Sequence, residues 1–565
     1  MIAILHGYLL DGSGSNLWTR SIVRALCAQG QTVHLFCQES DPEAYPFVAE
    51  AVLHTVDRAE RLFERNTEFP GRCIVHKPEI GDTLPVYVWD QYDEFDHVVP
   101  LVELPDEDVE AYLFHNAAVV ARVVREAGIR VLHANHIVLM PVVAQRVQVL
   151  TGVPFAMMPH GSALEYAVKR DPRYFRYASE AIEAAARIFV IGDEMRQRVL
   201  SLFAGSSGIE EKMQELHLGV DTAAFDLVPR QGRRARIERL AEQLRTLEPG
   251  KRPEQSAQLR TAVLAGAVGP QELAHSIAAG TGYATKAPDA DAADKLLAVD
   301  WRHERVLLFV GRLIAAKGPQ AVIAALPLIL DRTPNARLIV VGHGPLRETL
   351  EALLLALQAG QREVVRTIAA FGRGFESAAE AATDTVAEPV PLPELHAFLQ
   401  RLEAAGEDAG YFEAARRQRV AERVTFTGYL SHGELRHVFP CCDVAVFPSV
   451  VAEAGPLVFL EALASGCFPL GTYFAGMAAS IDAAAVALPE ADAEMMKLRP
   501  DAAHVAADIA ERVPRALELG ERHREALRRI AVEHYDWSSV ARRLARSLHE
   551  IADRTPAGPG APTSN

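Results

Sequence analysis

The run Asp443-Val-Ala-Val-Phe-Pro-Ser449 constrains the fold more than any other stretch. It has the length and β-branching of a strand buried on both faces, and such strands belong to parallel sheets covered by helices. The next residues fit that reading. Leu457, Leu460, Glu461 and Leu463 keep helical spacing as far as Gly466, a C-terminal stop. Pro456 stands near the first helical position, where its missing N–H does no harm. Comparable strand-like runs ending in turns occur at Ile2–Leu5, Thr32–Phe36, Val131–His136, Pro154–Gly161, Arg187–Ile191, Arg305–Val310 and Arg337–Pro345. The pattern predicts an α/β protein. At 565 residues the chain is too long for one core, so two large domains with additions are expected.

Two carboxylates flank this central helix start, Glu453 in the loop and Glu461 about two turns along the helix. Between them the backbone N–H groups of Leu457 and Val458 are offered to an anion, as at any helix entrance. An acceptor, an anion hole and a second acceptor suit a sugar, a diphosphate and a ribose. The plainer alternative is two solvated glutamates on a surface helix. A second cluster comes after Arg305–Val310, where Gly311-Arg-Leu-Ile-Ala-Ala-Lys-Gly318 places Arg312 and Lys317 at the end of a buried strand. Two fixed cations there would neutralise charge developing on a departing diphosphate.

At the other end of the chain, Leu10–Asn16 is a glycine-rich loop after the first strand, with Gly14 its main candidate. A nicotinamide site would need Gly-x-Gly-x-x-Gly, but the third position is Leu17 and the acidic candidate Glu39 lies too far on. His160-Gly161 ends a strand at the face where α/β sheets bind ligands. His133 and His136 end the preceding one and are candidate acceptor-side groups. Lys169, Arg170 and Arg173 come next and could meet an anionic acceptor.

These motifs together resemble the retaining GT-B glycosyltransferases of the family-4 type: the Glu453-x7-Glu461 pair, Gly311-Arg312…Lys317-Gly318, Gly342 and Gly344, Tyr429 and His160-Gly161. The resemblance implies two Rossmann-like parallel-sheet domains facing across a cleft, with two largely helical insertions. It implies sugar transfer from a nucleotide diphosphate sugar to an acceptor hydroxyl with retention of configuration, a hexosyl-type reaction without metal or cofactor. Arg312 and Lys317 would hold the diphosphate with Gly311 beside them. Glu453 would bind the sugar, Glu461 the ribose, and backbone at Tyr429 the base. His160 and the Gly14 loop would close over the sugar. The sequence departs from the family at Gly455-Pro456, Ser162-Ala163 and Met477–Ser480. A phosphorylase of the same fold, using inorganic phosphate, and a non-catalytic nucleotide-sugar binder are the alternatives.

Five segments are expected: an acceptor-side domain over 1–228, a helical insertion over 229–303, and a nucleotide-sugar domain over 304–534. A crossover helix then spans 535–553 and a disordered tail 554–565. Within the third segment a second insertion spans about 352–421. The first insertion fills a link of roughly 75 residues where a compact domain would use a short loop. Its basic start (Arg230, Arg233, Arg234, Arg236) reads by default as a solvated helix face, with a partner or lipid surface as the sharper alternative.

The net charge of −16 argues against a nucleic-acid partner, so local basic residues must attract an anionic donor. Six cysteines without metal spacing read as reduced thiols of a cytoplasmic protein. No run approaches the ~20 apolar residues of a membrane span, and no secretory leader is read at the start. Peripheral membrane contact is left open by these features, and oligomeric state is not legible.

Overall fold

The computed structural model describes residues 1–11, 14–87, 95, 97–266, 269–386, 388–451, 455 and 457–554. The chain forms two compact units, one of Met1–Gly219 with His534–Asn565 and one of Val220–Glu533. Beyond residue 554, the tail expected over 554–565 lies outside the described residues.

The strands of unit 1 are β1 (Ile2–Leu5), β2 (Thr32–Phe36), β3 (Val48–His54), β4 (Ala59–Glu64), β5 (Arg72–Pro78), β6 (Thr83–Val86), β7 (His97–Pro100), β8 (Val131–Asn135), β9 (Phe155–Met158), β10 (Arg187–Val190) and β11 (Met213–Glu215). Nine of them form one sheet in the order β11-β10-β9-β8-β1-β2-β5-β3-β4, and β6 pairs with β7 separately. Only β4 runs antiparallel within that sheet. The chain leaves β1 toward β2 and later returns to its other side at β8. Reversals of this kind open a crevice beyond the carboxyl ends of the strands, where open α/β sheets bind ligands.

The core of unit 1 sets Ile2, Ile4, Val33 and Leu35 of the sheet against Trp18, Ile22 and Leu26 of the helix Gly14–Ala28. Val540, Leu544, Leu548 and Ile551 of the helix Trp537–Arg554 join the same core. A Cβ at Gly219 would meet the Trp537 ring at 2.3 Å, so only glycine lets the chain leave the unit there.

Unit 2 carries β12 (Arg305–Val310), β13 (Ala336–Val341), β14 (Val424–Phe426), β15 (Val444–Phe447), β16 (Phe468–Thr472) and β17 (Lys497–Leu498), all parallel, in the order β14-β13-β12-β15-β16-β17. Its switch point lies between β12 and β15. The helices Pro319–Arg332 and Val505–Ile530 pack against each other beside this sheet.

The expected boundary at 228 is corrected to Gly219/Val220. Residues 220–228 are tied to unit 2: Arg528 donates to the carbonyls of Thr222 and Phe225, Arg524 to that of Val228, and Arg236 pairs with Asp226. The 229–303 segment contains the helices Arg233–Leu244, Ala257–Ala265, Pro270–Ala278 and Ala292–Leu297. The 352–421 segment continues the helix Arg347–Ala359 with Arg362–Glu380, Pro393–Ala405 and Asp408–Arg417.

The default reading of the basic start is also corrected. Arg233 is fully buried, and it and Arg230 each reach Asp443 Oδ1 at 2.8 Å. The other Asp443 oxygen accepts from Val306 N at 2.8 Å. These arginines rivet the insertion to the sheet. Arg234 alone of the four keeps to the surface expected, pairing there with Glu238.

No helix among the described residues is long and apolar enough to cross a membrane. All six cysteines are buried thiols.

Candidate active site

The turn after β12 is built by contact rather than by chance spacing. Gly318 has φ 73°, and a Cβ on it would come within 2.2 Å of Pro448 O at the end of β15. A Cβ at Gly342 would fall 1.9 Å from Gly311 O. Close backbone approach on both sides therefore demands glycine. Leu313 N donates to His343 O at 2.7 Å, and Val450 N to Ala316 O at 2.9 Å. Ala315 N donates to Glu376 Oε1 at 2.9 Å, so the second insertion braces the same turn. Arg312 is exposed at its rim, and among the described residues its side chain makes no hydrogen bond or ion pair. Lys317 is half-buried.

Across the switch point, the helix Leu457–Ala464 begins with the N–H groups of Leu457 and Val458. Glu461 projects from it and is buried. His432 Nδ1 bonds its Oε1, while Oε2 has no partner among the described residues. An unsatisfied carboxylate oxygen in such a place costs stability unless a ligand donates to it. Glu453 and Pro456 lie outside the described residues.

Tyr429 is half-buried, and its ring lies 5.4 Å from that of His343, edge to face. Its N–H donates to Ala287 O in the first insertion at 3.0 Å. The Tyr429 N–H is therefore spent inside the protein, so a base contact of the expected kind would fall to other backbone groups around this position.

In unit 1 three strand ends converge histidines at the switch point: His6 after β1, His136 after β8 and His160 after β9. His136 takes φ 70°, rare for a residue with a Cβ. Its ring stacks on His6 at 5.8 Å and lies 4.9 Å from His160 and 4.7 Å from Tyr87. His6 is held on all sides, by Leu9 O and Asn16 Oδ1 at one nitrogen and by Thr19 Oγ1 and Asn135 Nδ2 at the other. His133 lies under Trp18 and bonds Asn135 at 3.2 Å.

Among the described residues neither nitrogen of His136 has a partner, nor does Nε2 of His160. Burial lowers His6 and His133 to about 4, His160 to about 3, and His136 well below the usual range. Neutral imidazoles with open nitrogens suit hydroxyl groups rather than anions. No group of three potential ligands among the described residues could hold a metal ion.

Gly14 opens the first helix, and among the described residues nothing comes within 4 Å of the space a side chain would fill. Lys169 is exposed and paired with Glu165 at 2.6 Å. Arg173 spends its guanidinium on Asp171, Asp106 and the carbonyls of Leu104 and Val102. It locks a helix start and has no donor left for an acceptor molecule. His6, His343 and His432 carry no motif that would single them out; only a histidine directly after a predicted strand could have signalled the first.

Comparison with known proteins agrees with both units. A model of the glycosyl transferase 4-like domain matches residues 13–210, and models of glycosyl transferases group 1 match 300–366 and 366–499. An uncharacterized glycosyltransferase of Methanocaldococcus jannaschii is 37% identical over 163 residues, 29% of this chain. That stretch spans only 26% of the relative's own length. A glycosyltransferase from Rickettsia africae shares the fold with a TM-score of 0.51 at 12% identity, over 98% of this chain and 99% of that one. Sucrose-phosphate synthase from Thermosynechococcus elongatus gives a TM-score of 0.49 at 16% identity, over 97% and 98%. With matches in each of its two parallel-sheet units that together cover more than half of its length, the chain belongs to the group 1 glycosyl transferases, of GT-B fold.

Proposed function

We propose that the protein transfers a hexosyl group from a nucleotide diphosphate sugar to an acceptor hydroxyl, with retention at the anomeric carbon. The observation that carries the reading is the switch point of unit 2, where the Arg312–Lys317 turn is locked to the end of β15 and the helix Leu457–Ala464, which carries the buried Glu461, follows that strand.

The roles rest on charge and hydrogen-bonding capacity. The unsatisfied oxygen of Glu461 accepts from ribose hydroxyls, while His432 fixes the carboxylate's orientation. N–H groups of Leu457 and Val458 meet the phosphates. Arg312 and Lys317 stabilise the negative charge that grows on the diphosphate as the glycosidic bond breaks. Glu453 holds sugar hydroxyls. In unit 1 the neutral rings of His136 and His160 donate to and accept from hydroxyls. Positive charge comes from side chains, so the reaction calls on no metal or cofactor. The donor phosphate takes the acceptor's proton on the face that the leaving group vacates, which gives retention.

The test is turnover with a panel of nucleotide sugars, the anomeric configuration of the product being read by NMR. Retained configuration is expected. Arg312→Ala or Lys317→Ala should lower turnover by roughly 100-fold or more. Inverted product would overturn retention, and unchanged rates in both variants would overturn the leaving-group roles of Arg312 and Lys317.

A further inference from the structure

The first insertion reaches the rim of the donor site. Segment 287–290 is stitched down along its length. Pro288 bridges Gly428 in antiparallel fashion, Tyr429 N donates to Ala287 O at 3.0 Å, and Asp289 N donates to Thr427 O at 2.8 Å. Gly250 N and Lys251 O bond Pro288 O and Ala290 N at 2.6 and 2.8 Å. Gly428 has φ 72°, and a Cβ there would strike Asp289 N at 2.6 Å.

Beneath this contact runs a buried ionic cluster. Arg347 reaches Asp289 at 2.8 Å and Glu351 at 2.9 Å, and Lys251 reaches Glu348 at 2.8 Å and Glu351 at 3.0 Å. Tyr283 OH donates to Glu348 at 2.9 Å. Burial alone would raise the Glu351 carboxyl, but Arg347 and Lys251 outweigh it and hold it at about 2. The insertion is therefore fixed at Tyr283 and again at Ala287–Asp289. Lys286 stands between these anchors, exposed.

The neighbourhood of Lys286 is the phosphate turn. Tyr429, bonded to the next residue, packs its ring on His343, and His343 O holds Leu313, the residue after Arg312. His343 is half-buried; burial lowers its pKa first, and the positive charges of Arg312 and Lys286 lower it further.

We propose that Lys286 is a donor-binding residue, a third cation supplied by the insertion that engages the diphosphate of the donor alongside Arg312 and Lys317. This rests on the reading of unit 2 as a nucleotide-sugar site. The protein carries a net charge of −16, so its overall field does not draw in an anionic donor, and each local cation counts. A lysine's compact charge on a flexible stem can track the diphosphate as the bond to the sugar lengthens. The insertion also takes the Tyr429 N–H, removing a neutral donor and returning a charged one.

Two measurements on the full chain test this. The first is calorimetric binding of a nucleoside diphosphate and its unphosphorylated nucleoside to wild type, Lys286→Met and Lys286→Glu. Affinity for the diphosphate should fall about tenfold in Lys286→Met, as for one lost charged contact, and further in Lys286→Glu, with the nucleoside unaffected. Equal losses for diphosphate and nucleoside, or none in either variant, would overturn the proposal while leaving the nucleotide site intact. Failure of wild type to bind any nucleotide would remove both. The second is the titration of His343 by NMR, its resonance assigned with His343→Gln. The His343 pKa should rise in Lys286→Met and rise further in Lys286→Glu; an unchanged titration would overturn the placement whatever the nucleotide result.

Discussion

Asp443 shows what one buried side chain can be made to hold. Burial pushes its carboxyl up, and Arg233 and Arg230 more than reverse this, so it stays ionised below the usual range. One oxygen serves both arginines and the other caps Val306 N at the start of β12. Removing one partner of such a pair strands the other, at a cost of about 3–5 kcal/mol. Asp443→Ala should therefore lower the stability of unit 2 by about that amount, measured by urea unfolding with a probe in that unit. A change within experimental scatter would mean that Arg233 finds water or another partner. Both ends of this contact are visible in the sequence, but the contact itself is not. Arg233 and Asp443 are 210 residues apart, and a run of arginines at a helix start looks the same whether it faces water or a carboxylate. His432 and Glu461 are 29 apart and their bond is hidden for the same reason. Arg312, Lys317 and His160 could be singled out as candidates because they follow predicted strands, Arg312 and Lys317 in the one turn after β12 and His160 after β9, and strand-then-turn is a short-range pattern.

Among elements, the buried histidines of unit 1 form two groups with one consequence. Besides the cluster at the switch point, His34, His76 and His54 on β2, β5 and β3 form a bonded row, 2.9 and 2.8 Å apart, that ends on Arg122 at 3.0 Å. Burial lowers all three, to about 4 for His34 and His54 and well below the usual range for His76. Unfolded histidine titrates near 6.5. Between that value and about 4 the unfolded chain binds more protons than the folded one, so stability is full above about 6.5 and lost as pH falls through this window. Each fully buried histidine contributes up to about 1.4 kcal/mol per pH unit. Unit 1 should unfold on acidification well before unit 2, as followed by tryptophan fluorescence of Trp18. Stability of unit 1 that is flat from pH 7 to 4.5 would contradict burial of neutral imidazoles. The helices of the two insertions carry a different lesson. Their amphipathic spacing announces them, but their attachment is silent in the sequence, since Lys251, Asp289 and Glu376 bond partners far along the chain.

At the scale of the molecule, unit 1 is closed by a segment that comes after all of unit 2. Val540, Leu544, Leu548 and Ile551 belong to its core. Fully burying each such side chain is worth about 1.5–3 kcal/mol, against a typical domain stability of about 5–15 kcal/mol. A chain ending at Glu533 should lose amide protection throughout unit 1 and keep it in unit 2, as read by hydrogen exchange. Retained protection in unit 1 would show that the last helix is dispensable. The two parallel sheets and the family were readable in advance, because buried parallel strands and strand-end turns are short-range patterns. The boundary at Gly219 was not, because it is set by what residues 220–228 bind.

Glu461 is where the proposed activity stands or falls. The direct measurement is calorimetric titration of UDP, GDP and ADP into the wild type and Glu461→Ala. One nucleotide should bind, and the variant should weaken it by about 1–3 kcal/mol, as for a lost charged hydrogen bond. If none binds, or if Glu461→Ala binds as tightly as the wild type, the nucleotide site is not where the unsatisfied carboxylate places it.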